Sequence, residues 1–163
     1  MQLTFIPIIA DAKSMGKYLV NDFCKSVYEV YAQLYSKNGY NVPWIGYFIL
    51  NGDEIVGVGG YKGTPRDNKI EIAYGVLPEK EGKGFATEIC KQLIVIALSV
   101  NPNMRVFART LREESPSTSI LRKNNFKFIG TVEDSEDGQV WEWEFENGNG
   151  RVASPIISNG WFV

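Results

Sequence analysis

The stretch from Lys69 to Val100 limits the fold more than any other part of this chain. Lys69 to Leu77 is an apolar, β-branched run ended by Pro78. After the connection Pro78-Glu79-Lys80-Glu81-Gly82-Lys83-Gly84, the pattern changes to Ala86, Ile89, Cys90, Leu93, Ala97 and Val100, spaced by three and four and closed by Asn101-Pro102. Here a strand enters a helix through a glycine turn, and strands and helices alternate along the rest of the chain without an internal repeat.

Leu3 to Ile9 reads as a strand that Pro7 assigns to a sheet edge or bulge. From Ala12 onward, Met15, Leu19, Phe23, Val27, Val30 and Leu34 form the stripe of an amphipathic helix with room for a break, and Asn38-Gly39 stops it. Trp44 to Leu50 and Glu54 to Tyr61 flank Asn51-Gly52-Asp53, a strong hairpin signal. Met104 to Leu111 alternates as a strand, and Ser115-Pro116 supplies an N-cap and a first helical residue for Ser117 to Asn124. Phe126 to Val132 and Gln139 to Glu146 close the pattern as a hairpin. In its second strand Val140, Glu142 and Glu144 oppose Trp141, Trp143 and Phe145, which gives that strand a polar face. The alternation of strands and helices predicts one mixed α/β or α+β domain over residues 1–146, with 147–163 a Gly- and Asn-rich tail that is flexible or docks late.

Composition removes several classes of function. With 163 residues and 44% apolar content the chain suffices for one core. Its net charge of -2, from 17 basic and 19 acidic residues spread along the length, gives no footprint for nucleic acid or an anionic membrane. No segment approaches the ~20 apolar residues of a membrane span. Met1 to Ala10 lacks a basic leader, so a cytoplasmic protein is expected. Cys24 and Cys90 fall in helical patterns without metal-ligand spacing and read as buried thiols. Histidine is absent, which removes Ser-His and Cys-His nucleophiles and the usual zinc sets; no metal is expected. Proton transfer then falls to carboxylates, Tyr, Lys, Cys or water.

In the turn before the second long helix, Gly82 and Gly84 let the backbone approach a ligand closely. Its N–H groups, joined to the positive end of the following helix, suit a pyrophosphate, and Lys83 adds charge. The turn is neither a P-loop, because Gly84 follows Lys83, nor a dinucleotide fingerprint, because Thr87 stands where a third glycine belongs. By itself it is equally a plain glycine loop.

The segment Glu71-Ile72-Ala73-Tyr74-Gly75-Val76-Leu77-Pro78, followed by Glu81-Gly82-Lys83-Gly84-Phe85-Ala86-Thr87-Glu88, closely resembles the central motif of GNAT-superfamily N-acetyltransferases. Ala108-Arg109-Thr110-Leu111, Ser117 and Lys123-Asn124-Asn125-Phe126 are similar to the next block of the branch that includes the ribosomal-protein N-terminal (alanine) acetyltransferases. The resemblance covers roughly Leu3 to Glu146. It implies a central, mostly antiparallel sheet of about seven strands that splays near the cofactor, flanked by helices.

It also implies acetyl-coenzyme A as the acyl donor and a primary amine, on a protein N-terminus or a small molecule, as the acceptor, in a monomer or homodimer. Gly75, Val76 and Leu77 would offer backbone groups to the pantetheine, with the Val76 N–H near the thioester oxygen. Glu81, Gly82, Lys83, Gly84, Phe85 and Ala86 would hold the phosphates. Glu71 would remove the amine proton, directly or through water, unless it is merely an exposed strand carboxylate. Ser117 would donate to the departing thiolate, unless it only serves the helix end that Ser115 caps better. Tyr74 is a secondary acid candidate.

Three positions depart from the family pattern. Glu81 stands where Arg or Gln is usual and predicts weaker phosphate binding, and Glu114 replaces an Asn that holds the pantetheine arm. They leave room for a second reading, an acyl-coenzyme A sensor that does not turn its ligand over. Asn125, in place of a usual Gly, tolerates the left-handed conformation expected there. Tyr31, Tyr35, Tyr40, Trp44 and Tyr47 either line an acceptor pocket or bury the first long helix.

Overall fold

A computed structural model describes residues 1–147; the predicted tail lies outside the described residues. The central sheet has seven strands in the order β1 (Leu3–Pro7), β2 (Gly46–Asn51), β3 (Glu54–Tyr61), β4 (Lys69–Val76), β5 (Arg105–Thr110), β7 (Gly138–Phe145) and β6 (Phe126–Asp134). All neighbours are antiparallel except β4 and β5. Among the described residues four helices accompany it: α1 (Ala12–Met15), α2 (Asp22–Asn38), α3 (Phe85–Val100) and α4 (Pro116–Lys123). The mixed, mostly antiparallel architecture expected from the sequence is the one observed, and β1 takes the edge that Pro7 demands.

The N-terminal helical stretch differs from its sequence pattern. Asp11 caps α1, a 3-10 turn follows over Gly16–Tyr18, and the Asn21 side chain accepts the Cys24 N–H to start α2 afresh. This restart resets the helical phase. Cys24, Tyr31 and Tyr35 become the buried stripe, while Phe23 and Val30 of the expected stripe are exposed.

Tyr35 shows why α2 needs tyrosines. Its hydroxyl donates to the Ile8 carbonyl at 2.9 Å and accepts the Gly46 N–H at 3.0 Å, satisfying two backbone groups of the sheet edge from the core. Tyr31 lies so close over the sheet that a Cβ at Gly46 would meet its ring at 2.5 Å. Tyr31, Tyr35 and Tyr47 are thus buried core residues, Trp44 is half-buried against Tyr61, and Tyr40 is exposed. The aromatic cluster buries the helix.

On the opposite face α3 packs Ile89, Cys90, Leu93 and Ala97 against β3 and β4. Glycine keeps this approach close: a Cβ at Gly59 would lie 2.8 Å from Ile89. The Tyr61 hydroxyl donates to the Leu93 carbonyl at 2.6 Å. Ser115 caps α4 in a reciprocal arrangement with Thr118, and Asn124 bridges to the Thr87 carbonyl of α3 at 3.2 Å. Asn125 adopts φ 63°, as expected for the residue before β6. Among the described residues no helix is long and apolar enough to cross a membrane.

Candidate active site

The site is built on the one parallel pair. β4 and β5 are in register only from Lys69–Arg105 to Glu71–Phe107. Beyond that point β4 continues with β3 as far as Val76, and β5 continues with β7 as far as Thr110. The two strands therefore splay, as the family resemblance implies.

The register of β3 with β4 runs without a shift from Gly57–Val76 to Tyr61–Ile72. Flanking it, the Lys62 N–H donates to the Glu71 carbonyl and the Leu77 N–H to the Val56 carbonyl, each at 3.0 Å. Odd-numbered residues of this segment thus turn their backbone groups to β3. Tyr74 and Val76 turn theirs into the gap facing β5. The same parity sets the side chains: Ile72 and Tyr74 face α3, while Glu71, Ala73 and Gly75 face the α2 side, where Phe23 would contact a Cβ at Gly75 at 3.5 Å.

A cleft of about 310 Å³ runs through the splay, lined by Lys62, Glu71, Tyr74, Arg109, Ser117 and Leu121 among others. Glu71 is the carboxylate held inside it, with a side chain 12% exposed and a salt bridge from Oε2 to Lys62 Nζ of 3.2 Å. Burial pushes its carboxyl above the ordinary range, and Lys62 and then Arg109 oppose that push. Burial pushes the Tyr74 phenol up and the Cys90 thiol up to about 12. Cys24 and Cys90 are buried free thiols.

Ser117 is exposed on the first turn of α4 at the cleft wall, and its hydroxyl has no hydrogen-bond partner among the described residues. The cap belongs to Ser115. Glu114 stands apart from the cleft lining. Its carboxylate accepts both Arg122 guanidinium nitrogens, at 2.6 and 2.7 Å, and the Thr118 hydroxyl at 2.9 Å. These partners, Arg122 first, hold it down at about 2.

The glycine turn follows β4 through a 3-10 turn over Pro78–Lys80. The Glu81 N–H is already used there, donated to the Pro78 carbonyl at 3.3 Å. From Gly82 to Ala86 the backbone N–H groups have no acceptor among the described residues. Gly82 and Gly84 adopt φ 73° and 84°, and a Cβ at Gly82 would meet nothing within 4 Å. Glu81, Lys83 and both glycines are exposed, and Gly84 is the N-cap residue of α3. Unpaired N–H groups at the start of a helix are of the kind that can receive an anion. Among the described residues no group of three or more His, Cys, Asp or Glu is placed to hold a metal ion.

Sequence reasoning assigned no role to the charges beside Glu71. Arg109 bonds Asp134 at 3.0 Å and Glu142 at 3.3 Å, and Lys69 bonds Glu142 at 3.0 Å. Phe107 lies between them, 4.3 Å from Lys69 Nζ and 5.5 Å from the Arg109 guanidinium. The face of β7 that reads as polar is therefore not solvated at Glu142, which is 5% exposed beneath its cations. The available signal was the matching alternation of Arg105 and Arg109 on β5 with Glu142 and Glu144 on β7.

A family model of the acetyltransferase (GNAT) domain matches residues 5–127, and the chain belongs to that family. An uncharacterised N-acetyltransferase, p20, of Bacillus licheniformis is 34% identical over 86 residues, 52% of this chain. That alignment spans 48% of the relative, about half its length. Among solved structures, a spermidine N-acetyltransferase chimera from Vibrio cholerae and hSSAT superposes with a TM-score of 0.67 at 13% identity, over 89% of this chain and 95% of that one. A RimL ribosomal alpha-N-protein acetyltransferase in complex with coenzyme A gives 0.64 at 14% identity, over 88% and 93%. At such identities the likeness is one of fold.

Proposed function

We propose that this chain transfers an acetyl group from acetyl-coenzyme A to a primary amine by direct attack. The observation that carries the reading is a shielded carboxylate, Glu71, in a cleft at the splay, on the same strand whose Tyr74 and Val76 turn their backbone groups into the gap beside β5. Acetyl-coenzyme A supplies the activated acetyl carbon.

The chain's own residues meet the remaining demands. Gly82 to Ala86 offer N–H groups to the phosphates, with Lys83 adding charge; of the expected Gly75, Val76 and Leu77 it is Val76 whose backbone faces the pantetheine, since Gly75 and Leu77 are bonded to β3. The Val76 N–H donates to the thioester oxygen. The amine arrives as an ammonium ion; Glu71 takes one proton, directly or through water, and passes it to solvent. The nitrogen then bonds to the acetyl carbon as the carbon–sulfur bond breaks. Its second proton ends on the thiolate, towards which Ser117 donates, and one proton is released overall.

The acceptor classes to try first are those in the fold relatives' names, spermidine and a protein N-terminus. The alternative reading is an acyl-coenzyme A sensor. Its sequence basis is Glu81 and Glu114; Glu114 is engaged by Arg122, which leaves the exposed Glu81 to support it.

Thiol release from acetyl-coenzyme A, followed over a panel of amines, tests the proposal. Glu71→Gln should lower kcat about 100-fold at neutral pH with coenzyme affinity unchanged. Because burial pushes the Glu71 carboxyl above the ordinary carboxylate range, and the base acts only when ionised, kcat/KM should rise with pH through a limb above that range. Glu71→Gln should erase the limb. Tight coenzyme binding with no thiol release from any amine would establish the sensor instead.

A further inference from the structure

The wall of the cleft at Glu71 presents a cation as well as an anion, and the reaction proposed above uses only the anion. Lys62 is the first residue beyond β3. Its N–H is anchored on the Glu71 carbonyl at 3.0 Å, and its ammonium lies 3.2 Å from the Glu71 carboxylate. Gly63, at φ 92°, then turns the chain away. Lys62 is thus tied to Glu71 through backbone and side chain together.

The two partners differ in freedom. The Lys62 side chain is 45% exposed and the Glu71 side chain 12%, so the lysine is the partner that can swing. Arg109 is not free to do so, because Asp134 and Glu142 already hold its guanidinium. The charged groups lining the cleft balance, with Lys62 and Arg109 against Glu71 and Glu113.

An acceptor that is only cationic is poorly matched to this wall. Its ammonium must take Glu71 from Lys62 and then leave two like charges side by side. An acceptor with an anion next to its amine removes the conflict. Its ammonium goes to Glu71, its anion goes to the displaced Lys62 ammonium, and one ion pair becomes two.

We infer that the acceptor is an amino-acid-like zwitterion, carrying a carboxylate next to the reacting amine, and that Lys62 is the residue that reads the carboxylate. The inference rests on the proposed acetyl transfer and narrows its acceptor. It also separates this chain from the spermidine enzymes whose fold it shares, since a polyamine offers Lys62 nothing.

The test is thiol release from acetyl-coenzyme A with the full chain and three acceptor types: free α-amino acids, the matching α-carboxamides, and spermidine. A preference in kcat/KM of about tenfold or more for an acid over its amide is expected, the size of a charge-assisted contact at a half-exposed lysine. Lys62→Met should bring the acid-to-amide ratio close to one, and Lys62→Arg should retain most of it. Lys62→Gln provides a second neutral variant should the first fail to fold. Equal turnover of acid and amide by the wild type, a better rate with spermidine, or a ratio that survives both neutral variants would each overturn the inference while leaving acetyl transfer intact. Absence of thiol release with every acceptor would overturn both.

Discussion

The two faces of the same three strands, β4, β5 and β7, are held together by different physics. Towards α3 and α4 they present Ile70, Ile72, Val106, Ala108 and Trp143, all buried. On the other face the alternate residues are Lys69, Glu71, Arg105, Phe107, Arg109, Glu142 and Glu144, joined in ion pairs around a single aromatic ring. The first face is stabilised by area, which is tolerant of geometry. The second depends on pairing, where removal of a cation leaves a largely buried carboxylate short of its partner. The proposed base sits on the second face, so its surroundings are fixed by charge rather than by shape.

That contrast can be broken at its strongest point first. Trp143 is 1% exposed, donates from Nε1 to the Thr110 hydroxyl and stacks under Arg122; Trp143→Ala should cost about 3–5 kcal/mol in denaturant unfolding. Next comes Arg109→Ala, which leaves Asp134 and Glu142 without their shared cation and should cost about 3 kcal/mol. It carries a pH signature. Turn amides, chiefly that of Glu136, together with Arg109 lower Asp134 from 3.8 to about 2, so its contribution is complete above the unfolded value and lost as pH falls towards 2. Wild-type stability should therefore fall between about pH 4 and 2, and the variant should fall less steeply over that interval. A variant that matches the wild type would show the ionic face to be ornamental. The smallest effect sharpens the division of labour on α4: Ser117→Ala should lower kcat about tenfold with an unaltered melting temperature, because Ser115 bears the cap. Full activity would take Ser117 out of the reaction.

Local features were legible in the sequence and non-local ones were not. α3 has the bounds that glycine at one end and Asn101-Pro102 at the other dictate, and Ser115 caps α4 as its neighbours require. The first helical stretch misled because an apolar stripe is meaningful only along an unbroken helix. The Asn21 cap restarts the count and turns Phe23 and Val30 outward. The polar face of β7 misled for another reason. Whether Glu142 meets water depends on Lys69 and Arg109, which strand order alone brings to it. Glu114 shows the same limit, since Arg122 claims it from the next turns of α4. Strand parity at Glu71 needed the unbroken β3 register, a fact about pairing that no residue pattern contains.

The splay after Glu71 has one more consequence. Soluble proteins protect the free edge of a strand because it invites other chains to pair with it. Here β4 has such an edge in the middle of the sheet, where Tyr74 and Val76 turn their backbone groups into the gap beside β5. The proposed donor, which carries amide groups of its own, would complete the ladder there. Binding would then act as a late step of folding, and the protein's stability would track the concentration of its donor substrate.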